Sequence, residues 1–119
     1  MATESSAPRP GRPVRGSDSG RPVMAALDLL GRRWTLRILW ELSQAPAGFR
    51  DLQRRCERMS SSVLSTRIAE LTEAGLLAPQ DDAYRLTPLG ADLVTALGPL
   101  TAWSHRWAAE TEPPGGRLG

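Results

Sequence analysis

Between Met59 and Leu77 the chain reads MSSSVLSTRIAELTEAGLL, and its first half crowds hydroxyl groups together at Ser60, Ser61, Ser62, Ser65 and Thr66. A hydroxyl both donates and accepts hydrogen bonds, and its small size lets a partner come close. At 100° per residue, Ser61, Ser62, Ser65, Thr66, Ala69 and Thr72 share one side of a helix. Val63, Leu64, Ile68, Leu71 and Gly75 share the other. A solvated helix face ordinarily carries long charged residues, because serine and threonine are mediocre helix formers. Just upstream, FRDLQRRCER supplies Arg50, Arg54, Arg55 and Arg58. Guanidinium groups beside a hydroxyl face suit nucleic acid: arginines hold phosphates, hydroxyls meet base edges, and helix N-terminal amides add donors for anions. A serine-rich start that only caps a surface helix would account for Ser60 but not for the neighbouring arginines.

Charge placement agrees. The formal net charge is +2, yet residues 31–67 carry +5 and residues 68–119 carry −4, with arginine as the only strong base in the chain. The positive block coincides with the hydroxyl-rich stretch and the segment before it, which fits an anionic partner on one side of the domain.

The elements that must position these residues follow from the pattern. Residues 1–20, rich in Pro, Gly, Ser and Arg, have little to bury and read as a disordered arm. Its Arg9, Arg12 and Arg15, with Arg21, are within reach of phosphates, although a solubilising tail is the simpler reading. PVMAALDLLG is a helix ending at Gly31, and WTLRILWELSQ is a helix apolar around most of its circumference, with Arg37, Glu41 and Gln44 as a polar strip. The APAG turn precedes a short helix anchored by Phe49, Leu52 and Cys56, and Ser60 caps the helix quoted above. LLAP, the acidic turn Asp81-Asp82 and AYRLT form a hairpin. Thr87-Pro88 then starts a final helix that Gly98-Pro99 kinks or splits. The predicted fold is mainly α with a small β-hairpin, a winged helix-turn-helix over residues 21–112, with residues 113–119 as a flexible tail.

Other candidates reduce to structural roles. Arg67 falls near the apolar edge of its helix and is expected to form an internal ion pair with Glu41. Cys56 lies on an apolar stripe and is expected to be buried. Leu93, Leu97, Leu100, Trp103 and Trp107 form a stripe suited to core or dimer interface, with Leu27 and Leu30 of the first helix beside it. His105 lies off that stripe and reads as surface. One cysteine and one histidine leave no disulfide framework and no metal site of His or Cys. No catalytic constellation or cofactor motif is visible, and nothing indicates a small-molecule effector. No apolar run approaches the roughly 18 residues of a membrane span, so a cytoplasmic protein is expected.

Taken together, Leu29-Leu30-Gly31 with Arg33-Trp34-Thr35, Phe49-x-x-Leu52, Val63-Leu64 with Arg67 and Glu70-Leu71, and Leu86-Thr87-Pro88-Leu89-Gly90 resemble the HxlR family of bacterial winged helix-turn-helix regulators. The likeness covers about residues 21–110. It implies a homodimer on an inverted-repeat operator in double-stranded DNA, with the first and last helices as interface: Leu27, Leu30, Leu97, Leu100, Trp103 and Trp107. The DNA-binding set is then Arg50, Arg54, Arg58, Ser60, Ser61, Ser62, Ser65 and Thr66. Members often place an oxidant-sensing cysteine before the proline that opens the first helix; here that residue is Arg21. The wing is short and acidic, which argues against minor-groove contact by its tip. The rival reading, a winged-helix module that binds protein, leaves the arginine-rich segment unexplained.

Overall fold

The computed structural model describes residues 10, 21–57 and 59–112. The expected arm (apart from Pro10), Arg58 and the expected tail lie outside the described residues.

Helix α1 (Pro22–Leu30) begins with proline at its first position and stops at Gly31, whose N–H donates to the Leu27 carbonyl at 2.9 Å. Helix α2 (Thr35–Gln44) starts from Trp34, held at φ 77°, a left-handed conformation unusual for a bulky residue. The Arg33 guanidinium lies 5.5 Å from the centroid of that indole. Helix α2 touches α1 and three elements that follow it: α3 (Phe49–Arg55), strand β2 (Ala83–Leu86) and α5 (Pro88–Ala96). Its Ile38, Leu39 and Leu42 form the centre of one core with Leu29, Leu52, Cys56, Leu64, Leu71 and Leu77. The expectation that α2 is covered around most of its circumference is too strong. Leu36 and Trp40, four residues apart on one face, are 41% and 54% exposed, with no element among the described residues packed over them.

Helix α4 (Ser61–Glu73) ends in a Schellman arrangement. Gly75, at φ 84°, donates to the Thr72 carbonyl, and Leu76 donates to that of Leu71. The chain turns directly into strand β1 (Leu77–Gln80), which pairs antiparallel with β2 from Leu77–Leu86 to Gln80–Ala83. Asp81 and Asp82 form the turn, as expected. The segment between α2 and α3 does more than turn. Ala47 and Tyr84 exchange backbone hydrogen bonds of 3.2 and 2.8 Å, fastening the wing to the start of the helix-turn-helix.

Thr87 closes the wing and opens α5. Its Oγ1 donates to the Gly75 carbonyl at 2.6 Å and accepts from the Gly90 N–H at 3.0 Å. Gly90 is required by close approach, since a Cβ there would run into the Leu76 carbonyl. The long final helix is split at Leu97 into α5 and α6 (Gly98–Thr111), and α6 has no buried residue. Among the described residues no helix is long and apolar enough to cross a membrane.

Candidate nucleic-acid interface

Helices α3 and α4, consecutive in the chain, form the helix-turn-helix, and β1–β2 is the wing. The N-cap of α4 is Ser60, whose Oγ accepts from the Val63 N–H at 3.2 Å. Leu64, Ile68 and Leu71 are buried, and Val63 is half-buried against them. Ser61, Ser62, Ser65 and Thr66 are all exposed on the opposite face, together with Ala69 and Thr72. The structure therefore brings the hydroxyl set together on one open surface.

The arginines divide by role. Arg50 is exposed and has no ion-pair partner among the described residues. Arg54 is also outward, with its side chain 75% exposed, and rests 3.0 Å from Asp51 on its own helix. Arg55 is more enclosed: it pairs with Asp51 at 2.8 Å and donates to the Ala45 carbonyl at 3.2 Å. Its own carbonyl accepts from Arg37 at 2.7 Å. Arg55 thus ties α3 to the end of α2 rather than projecting from the domain.

The expected Arg67–Glu41 pair does not form. Glu41 accepts from Arg37 at 2.8 Å, one turn away on α2. Arg67 instead pairs with Glu70, three residues along α4, at 3.0 Å, and its Nε donates to the Arg33 carbonyl at 2.7 Å. The reason is reach. A buried carboxylate lies on Arg67's own helix, while Glu41 already has a partner at ideal helical spacing. Glu70 is the centre of this network, 4% exposed, and Arg32 approaches it at 2.6 Å while also contacting Asp28 at 3.3 Å. Sequence reasoning missed Arg32 and Glu70 as partners, although the i,i+3 spacing of Arg67 and Glu70 was a usable signal.

Cys56 is fully buried as expected, and desolvation raises its thiol pKa above the ordinary value, only partly offset by Arg37. His105 is on the surface. The acidic wing turn is exposed at Asp81 and Asp82. No group of three or more potential ligands for a metal occurs among the described residues.

A second surface is apolar. Trp103 and Trp107 stack with centroids 5.4 Å apart and an interplanar angle of 11°, and they remain 46% and 56% exposed. Leu27 and Leu100 are exposed too, and Leu30 and Leu97 are half-buried.

Comparison with known proteins places the chain. The family of HxlR-like helix-turn-helix proteins matches residues 29–112. HTH-type transcriptional regulators of Mycobacterium bovis and Mycobacterium tuberculosis are 35% identical over 102 residues, covering 80% of this chain. The chain spans 64% of the length of these mycobacterial relatives. Quinone-bound YodB of B. subtilis superposes with a TM-score of 0.67 at 27% identity, over 71% of this chain and 96% of that one. A MarR-family regulator of Enterococcus faecalis gives 0.68 at 26% identity, over 82% and 94%. With its helix-turn-helix, its wing and the match over residues 29–112, this chain belongs to the HxlR-like helix-turn-helix family.

Proposed function

We propose that the chain is a sequence-specific DNA-binding transcriptional regulator, a repressor that binds an inverted-repeat operator as a homodimer in the cytoplasm. One observation carries the reading: α4 exposes a hydroxyl face, and the preceding helix of the same helix-turn-helix, α3, carries the outward Arg50 and Arg54. In a helix-turn-helix the second helix enters the major groove with its N-terminal residues leading. Ser61, Ser62, Ser65 and Thr66 then meet base edges, while Arg50, Arg54, Arg58 and the Ser60 end of the helix hold phosphates. The half-buried and exposed apolar side chains Leu27, Leu30, Leu97, Leu100, Trp103 and Trp107 form the dimer contact. The winged-helix unit of residues 21–112 is sufficient for both roles. A thiol switch has no part in this reading, because Arg21 precedes Pro22 and Cys56 is buried. Nor does the reading need catalysis or an effector.

The test is a titration of upstream DNA over a range of salt concentrations. The logarithm of affinity should fall linearly with that of salt, and Arg50→Ala or Arg54→Ala should each make the slope shallower by about one unit. A chain that binds a protein partner and shows no salt-dependent DNA affinity would instead be a winged-helix interaction module.

A further inference from the structure

A groove of about 670 Å³ runs between α1, the C-terminal end of α4 and α5. Its floor is apolar, built from Ala25, Leu29, Leu76 and Leu93, and Pro22 lies on its edge. Two carboxylates, Glu73 and Asp92, belong to its lining, with no base among the described lining residues. Pro10 lies against the same groove, twelve residues before Pro22.

We propose that residues 8–15, PRPGRPVR, dock in this groove as an intramolecular ligand, with Pro10 and Pro13 on the apolar floor and Arg9 and Arg12 toward Glu73 and Asp92. The period of the segment supports this. A polyproline helix has three residues per turn. Pro10 and Pro13 therefore share one side, while Arg9, Arg12 and Arg15 share another. A segment with one apolar and one basic edge matches a groove with an apolar floor and acidic lining. The segment also contains no acid to oppose that pairing. Its own chain is the favoured source, because the arm leaves from Pro22, itself part of the groove. A short tether gives an effective concentration on the order of millimolar. Docking there takes up the groove side of Leu30 and leaves Val23 and Leu27, exposed on the far side of α1 from buried Ala25 and Leu29, available for a second copy. The arm's arginines are then committed to α1, α4 and α5 rather than to phosphates. This inference stands apart from the DNA-binding reading and survives its failure.

The experiment uses the full chain with Ala7→Cys carrying a nitroxide; fully buried Cys56 leaves the introduced thiol as the reactive one. The methyl signals of Leu29, Leu89 and Leu93 should be lost to paramagnetic broadening. They should return in Arg9→Glu/Arg12→Glu and be lost again when Glu73→Arg/Asp92→Arg is added. The arm substitutions fall outside α1–α6, so recovery of the signals does not require unfolding. Sharp groove methyls in the nitroxide-labelled chain with its native arginines would overturn the proposal. So would broadening that persists in the double-Glu variant. Equal broadening in a mixture of spin-labelled chain and separate isotope-labelled chain would assign the arm to a second copy, and that too would overturn docking within one chain.

Discussion

Arg32 Nη1 lies 2.6 Å from Glu70 Oε2, a contact that joins the turn after α1 to the buried side of α4. Arg67 holds the other oxygen of the same carboxylate and the Arg33 carbonyl as well. The orientation of the hydroxyl face therefore depends on an ionic network whose other anchor is the turn between α1 and α2. The contact links the end of α1, the proposed dimer helix, to α4, the proposed recognition helix.

Glu70→Ala should be among the most destabilising single changes in the chain. It leaves two arginines facing a buried site without their common partner, and breaking a buried pair costs about 3–5 kcal/mol. Glu41→Ala should cost less, because it removes one part-buried i,i+4 partner of Arg37, which keeps its bond to the Arg55 carbonyl, whereas Glu70 holds two arginines. Urea unfolding of the two variants distinguishes them. Equal losses would mean that Glu70 is not the centre of the network.

Thr35 gives a prediction of opposite sign. It is fully buried, and its Oγ1 has no hydrogen-bond partner among the described residues. An unsatisfied buried hydroxyl carries a desolvation penalty of about 1–3 kcal/mol. Thr35→Val keeps the shape and removes the polar atom, so the denaturant midpoint should hold or rise. A fall in the midpoint would reveal a partner for that hydroxyl.

Cys56 ties stability to alkaline pH. Burial raises its thiol pKa in the folded chain, so the unfolded chain loses the proton first as pH rises. Its contribution is present in full below the ordinary thiol pKa of about 8.5 and declines above it, until pH passes the folded value. The wild-type chain should lose stability through this window, and Cys56→Ala should lose less over the same range. At neutral pH the native thiol should resist alkylation until the chain is unfolded. Rapid labelling of the native protein would contradict the buried assignment.

Much of this was legible in the sequence, for identifiable reasons. Helix α4 announced itself because Ser60, Leu64, Ile68, Leu71 and Gly75 satisfy capping, periodicity and termination together. The split at Leu97 followed from Gly98-Pro99. What escaped were features set by the neighbours a residue meets in space. The Ala47–Tyr84 bridge joins residues far apart in the chain, and no local pattern marks it. Arg67 was visibly destined for an acid, yet the choice between Glu41 and Glu70 depended on which carboxylate the fold buries. Trp40 reads as core because apolar residues surround it in sequence, while among the described residues its face of α2 meets no other element.

Specificity should reside in the hydroxyl face. Ser62→Ala and Thr66→Ala remove exposed groups that hold no core contact, so helicity and melting should stay near wild type. If these hydroxyls read bases, preference within a half-site should shift by an amount comparable to one mismatch, about 1–3 kcal/mol. Selection from a randomised operator pool measures it. Unchanged preference in both variants would move specificity to DNA shape and the flanking arginines.

The assembly makes the sharpest demand. Helix α6 has no buried residue, yet it presents a stacked Trp103–Trp107 pair and Leu100 to solvent. Among the described residues α6 packs mainly against α5, and its Leu100, Trp103 and Trp107 stay exposed. Contiguous apolar surface of this kind marks an interaction site. Pairing two copies about a two-fold axis would bury both stripes at once, with Leu27 and Leu30 of each α1 alongside. The same axis would carry two α4 helices to successive major grooves, about 34 Å apart. Trp103→Glu puts a charge into the centre of that contact without touching the core. It should therefore yield monomers that retain most of their helicity and lose affinity for a full palindrome, while residual binding to a half-site persists. Sedimentation and a footprint on the same samples test both halves together. A Trp103→Glu chain that still sediments as a dimer, or a wild-type monomer that protects a full palindrome, would remove α6 from the interface.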